Sequence, residues 1–112
     1  MKEFIAYLEN KISEGKSEII TLEAKGRKDD ANFAKVRTNI YDVCRTVSQA
    51  LVGRPGAGIS AVKAQLDRFH TGWSAALEKA KLHDDVSAAA VEEAKLTALK
   101  DVIAHFQEVT GA

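Results

Sequence analysis

The residues best suited to chemistry are three histidines, at positions 70, 83 and 105, one cysteine, Cys44, and the glycine-rich stretch GRPGAGIS at 53–60. Helical proteins can build metal centres from inward-facing Glu and His side chains. A hemerythrin-like centre needs more than three histidines, and a ferritin-like one needs two Glu-x-x-His motifs. The nearest match here is a single Asp67-x-x-His70. If the last two helical segments form a hairpin about residues 84 and 85, His70 and His105 differ in height by roughly 9 Å. Both fall on the flanks of apolar seams, whereas Asp67 and Asp101 point away from them. His70, His105 and Cys44 therefore stand as candidate ligands, with no metal set and no cofactor implied. His83 falls in the last connection.

Catalytic chemistry finds little support. A nucleophilic cysteine needs activation, and Cys44 sits on the flank of an apolar seam beside Tyr41, where a small buried thiol is the usual role. The carboxylate pairs Glu92-Glu93 and Asp84-Asp85 read as a solvated face and a helix cap. A histidine phosphotransfer domain would carry Lys-Gly shortly after its phosphorylated histidine; Phe69-His70-Thr71-Gly72-Trp73 has the glycine but no lysine. No catalytic residue is assigned.

The glycine-rich stretch poses a sharper question. Phosphate loops aim backbone N–H groups at the anion, with a helix N-terminus behind them. Gly56-Ala57-Gly58-Ile59-Ser60-Ala61 matches G-x-G-x-x-A in letters. The dinucleotide fingerprint also needs a strand before the first glycine, and the preceding segment here is helical. The Walker pattern fails because Ile59-Ser60 stand where Lys and Ser or Thr belong. The stretch reads as a connection: Gly53 ends a helix and Pro55 prevents its continuation.

These residues must be held by helices. Proline occurs once, and Gly26, Gly53, Gly56 and Gly58 separate four segments with apolar residues three and four apart. The first carries Ile5, Leu8, Ile12, Ile19 and Leu22, with Gly15 at a seam position. The second carries Phe33, Val36, Ile40, Val43, Val47 and Ala50, with Asp29 or Asp30 as caps. The third carries Ile59, Val62, Leu66, Phe69, Trp73, Ala76 and Ala80. The fourth carries Val91, Leu96, Leu99, Val102, Ile103, Phe106 and Val109, after a cap drawn from Asp84, Asp85 or Ser87. Such spacings with short connections predict an all-α, antiparallel up-down-up-down four-helix bundle. The expected helices are roughly 2–24, 30–52, 59–82 and 87–109, in one domain over 1–112.

Composition narrows the function classes. The chain has 16 Lys plus Arg against 16 Asp plus Glu, without the clustered basic excess of a nucleic-acid binder. One cysteine permits no internal disulfide. No run approaches the roughly 20 apolar residues of a membrane span, and the first residues lack the apolar stretch of a signal peptide. A cytoplasmic protein is expected.

What remains is interaction. Tyr7, Ile20 and Tyr41 sit off their seams; gathered in one patch, they would mark a contact surface. Arg27 and Lys28 could take a partner's carboxylate or phosphate. The fourth segment has an apolar arc near 200°, about twice that of the others. That width suggests burial on two sides, by a central position or by a partner chain such as a second copy. Gly15 leaves room for a facing side chain, for which Trp73 is one candidate. The sequence thus points to a non-catalytic bundle acting through another protein or itself. The alternative is a ligand-, metal- or phosphoryl-binding bundle using His70 and His105.

Overall fold

The computed structural model describes residues 1–56 and 58–112 and contains four helices. They are α1 (Lys2–Ala24), α2 (Lys28–Val52), α3 (Ile59–Leu82) and α4 (Val86–Thr110). No strand occurs among the described residues. Three residues join α1 to α2, six join α2 to α3 and three join α3 to α4. Six residues reach at most roughly 20 Å, well short of a helix of about 36 Å. Each helix must therefore run back along its predecessor, so α2 and α4 point the same way.

The helix ends follow local chemistry. Asp85 caps α4, its Oδ1 accepting the Ala88 N–H at 3.1 Å. α2 begins two residues earlier than expected, at Lys28, and neither Asp29 nor Asp30 caps it. Both lie in its first turn, where a carboxylate favours the positive end of the helix dipole. Asp30 also holds the Arg27 guanidinium at 2.6 Å. α2 stops at Val52, with Gly53 as its C-cap and Pro55 following. Gly56 and Gly58 flank Ala57, which lies outside the described residues, and both have positive φ, 76° and 129°. That backbone suits glycine and bends the chain toward α3.

The packing is not a square. α1 lies along α2, and α3 along α4, as two hairpins. The hairpins join chiefly through α2 and α4; α2 and α3 share a shorter stretch, and α1 and α3 do not meet among the described residues. α4 touches all three other helices, which accounts for its wide apolar arc within a single chain.

The core is lopsided. Its large buried side chains are Phe4, Leu8 and Ile12 of α1, Ile40, Tyr41 and Cys44 of α2, Val62 and Leu66 of α3, and Leu99, Val102 and Phe106 of α4. They gather toward the end where α1 begins and α4 finishes. Toward the other end the fully buried positions are small: Gly15, Ala31, Ala34 and Ala80. Gly15 does face a side chain, but it is Thr38 of α2 rather than Trp73. Helix-to-helix register decides that partner, and no single helix encodes it.

One buried stripe escapes the sequence reading. Leu99, Val102 and Phe106 continue toward the start of α4 through Lys95 and Glu92, at the same three-and-four spacing. The Glu92 side chain is only 16% exposed, and its Oε1 accepts from Lys95 Nζ at 3.1 Å. Lys95 Nζ stands 6.0 Å from the Trp73 ring. Glu92 Oε2 is buried with no hydrogen-bond partner among the described residues.

Candidate functional site

The structure draws four of the singled-out residues together. Tyr7 from α1, Tyr41 and Cys44 from α2, and His105 from α4 meet where these helices converge. The Tyr7 ring lies flat on the His105 imidazole, with centroids 3.8 Å apart and planes 10° apart. Tyr41 Oη donates to Asp101 Oδ2 across a long 3.5 Å. Lys11 Nζ stands 5.9 Å from the Tyr7 ring. Beside the cluster lies a cleft of about 250 Å³ whose rim includes Lys11, Glu14, Arg37, Thr38, Tyr41 and Asp101.

This meeting corrects one expectation. Tyr7 and Tyr41 are not free surface residues: Tyr41 is 8% exposed and Tyr7 is half-buried. They lie off the seam of their own hairpin because α4 covers that side as a second neighbour. Ile20, by contrast, is 69% exposed on α1, roughly 20 Å along the helix from Tyr7. Arg27 and Lys28 lie at the α1–α2 turn, where they border a shallow hollow with Gly26, Asp29 and Asp30. The five residues do not form one patch.

Burial favours the neutral forms of Tyr7, Tyr41 and Cys44. Burial pushes the Tyr7 phenol up to about 12, with the Asp101 and Glu14 carboxylates adding to the shift. Burial raises Tyr41 further, helped by Tyr7 and Asp101, while Arg37 pulls the other way. Burial alone pushes the Cys44 thiol up to about 12. A thiol so placed stays protonated at neutral pH, the form that is poor at nucleophilic attack. The phenols stay protonated, as hydrogen-bond donors rather than bases.

His70 and His105 are held apart. His70 is exposed in the α3–α4 groove beside Leu77, Glu93, Leu96, Thr97 and Lys100. His105 is on the other flank of α4, against α1. His83 closes α3, with Nδ1 2.9 Å from the Lys79 carbonyl oxygen. Among the described residues, no three His, Cys, Asp or Glu side chains converge as a metal would require. No helix of the described chain is long and apolar enough to cross a membrane.

A different surface stands out by its chemistry. The α2 seam residues Phe33, Val36, Val43 and Val47 are half-buried and lie outside the core cluster. Together with Ile40 they cover an arc of about 80°, beside the arc of Ala34, Tyr41 and Ser48 that faces α1 and α4. On α3, Phe69 and Trp73 stack face to face, 4.9 Å apart and 2° from parallel, at the edge of the core. Sequence periodicity finds every one of these residues but not that they stay half-open.

No protein-family model, no curated protein and no solved structure matches this chain.

Proposed function

We propose that this protein acts by binding another protein or a second copy of itself, and not by catalysis. The observation that carries the reading is the half-covered seam of Phe33, Val36, Val43 and Val47. Apolar residues repeating at three and four positions are spaced to be buried along a neighbouring helix, and α3 covers only part of them. The chain is also more extended than a compact monomer, at 45 × 35 × 21 Å. The accessible surface is 6835 Å², where a compact monomer of 12.1 kDa exposes about 6,000 Å². The radius of gyration is 15.0 Å, against about 13 Å for a compact domain of this length.

A cytoplasmic setting goes with this reading, because a single unpaired thiol suits a reducing compartment. Balanced charge argues against a nucleic-acid partner, whose phosphates select a basic surface.

The test is sedimentation velocity over a wide concentration range, joined to affinity capture with the purified chain as bait. A stable complex, lost when Val43 is replaced by Glu, is the expected result. A chain that stays monomeric throughout and retains nothing overturns the proposal.

A further inference from the structure

We infer that the tip of the α3–α4 hairpin, residues 74–97, is a conformational device that opens and recloses locally while the rest of the bundle stays folded.

Three observations carry this. The first is burial. Among the described residues of this segment, only Ala80 is buried. Leu77, Val91 and Leu96 are half-covered. Leu82 and Val86, on either side of the turn, are 82% and 80% exposed. The large buried side chains of the same two helices, Val62, Leu66, Leu99, Val102 and Phe106, all lie outside the tip. Packing of an apolar face holds most protein helices in place, and this segment has little of it.

The second is charge. Glu92 and Lys95 occupy the tip's share of the buried stripe on α4, and Glu92 Oε2 is buried with no hydrogen-bond partner among the described residues. A buried polar atom without a partner favours any state in which water reaches it. Opening of the tip supplies such a state.

The third is the lack of ties. The side-chain hydrogen bonds and the ion pair of the tip stay within one helix or its own cap, among the described residues. Across the hairpin, Lys95 Nζ stands 6.0 Å from the Trp73 ring. The α1–α2 turn at the same end of the bundle is built differently. Lys35 and Arg37 reach across to Glu23 and Glu18 at 3.7 and 3.4 Å. Ala31 and Ala34 are both buried, and Gly15 lies against Thr38. The two turns therefore differ in stability although both are helix ends.

Short helical segments are marginal in water without packing, so a detached tip loses its amide protection. Elements that move on binding are drawn from segments of this kind.

Native-state hydrogen exchange of the whole chain, read along the sequence at several low urea concentrations, tests the inference. The amides of 74–82 and 88–97 should be at least about tenfold less protected than those of 62–66 and 99–106, with little dependence on urea. The amides of 31–38 should not share this loss. Val102→Ala should speed exchange in 62–66 and 99–106 at least about tenfold and leave the tip's rates unchanged, because opening of the tip leaves Val102 in place. Phe106→Leu gives the same contrast if Val102→Ala disturbs folding. Tip amides as protected as those of 99–106 overturn the inference. So do tip rates that rise together with the body's in either variant, since the tip would then open only when the whole chain unfolds. Equal loss of protection in 31–38 overturns the assignment to this hairpin.

Discussion

The backbone of α1 at Gly15 rests directly on the Thr38 side chain of α2. A Cβ at residue 15 would overlap Thr38 Oγ1 and stand 3.0 Å from both Cβ and Cγ2. Rotating Thr38 about χ1 moves Oγ1 but leaves its Cβ 3.0 Å away, tighter than ordinary contact. The hydroxyl is also engaged, donating to the Ala34 carbonyl at 2.7 Å.

Gly15→Ala therefore destabilises the fold by about 1–3 kcal/mol, although alanine is the better helix former by about 1 kcal/mol. Urea unfolding of the variant reads this directly. Thr38→Ala should restore much of the loss in the Gly15→Ala background, as a double-mutant cycle would show. A Gly15→Ala protein more stable than the parent would mean the helices are not in close contact here.

Adjacent aspartates at the α3–α4 turn should respond in opposite directions. Asp84 has φ 53°, the left-handed region in which a Cβ is unfavourable. Asp84→Gly should stabilise by up to about 1 kcal/mol, the steric cost of the left-handed conformation less the extra chain entropy of glycine. Asp85 caps α4 through Ala88, and Asp85→Ala should cost about 1 kcal/mol. Thermal melts that shift the same way for both variants contradict this turn geometry.

Ser48 is 1% exposed, and its hydroxyl has no partner among the described residues. A buried polar group without a partner costs about 1–3 kcal/mol. Ser48→Ala should raise the melting temperature by a few degrees. A lower melting temperature would reveal a bond that the hydroxyl makes.

Alkaline pH should loosen the fold through the tyrosine pair. A phenol ordinarily ionises near 10, and the folded chain holds the Tyr7 proton up to about 12. Tyr41 is raised in the same direction. The unfolded chain gives up these protons first, so their contribution is complete below about pH 10 and lost as pH rises through about 12. Urea midpoints should fall across that window, and less steeply in Tyr7→Phe and Tyr41→Phe. Equal slopes in parent and variants would place the phenols outside the core.

Much of this architecture is legible in the sequence because helix periodicity and breakers are local. Gly26, Gly53 and Pro55 bracket α2, and the expected helix ends fall within two residues of those observed. The burial of Leu8, Val62, Leu66 and Leu99 follows from the same seams. What a single helix cannot show is how many neighbours it has. Tyr7 and Tyr41 look misplaced until α4 arrives as a second partner. The Glu92–Lys95 pair is hidden because charge masks its place on the buried stripe. The separation of His70 from His105 depends on rotation about α4, where height along the hairpin says little.

The Phe4 and Phe106 rings meet edge to face, 5.2 Å apart at 77°, and bring together nearly opposite ends of the chain. Each hairpin can form from contacts close in sequence, which are fast to make. If the hairpins form first, joining Phe4 to Phe106 closes a loop of about 100 residues and pays its entropy last. In that order the pair is the latch that turns two hairpins into one cooperative unit. Trimming the latch in Phe106→Leu should then speed unfolding and leave the folding rate nearly unchanged. A chevron plot with a slowed folding limb would instead put the chain's two ends together at the start of assembly.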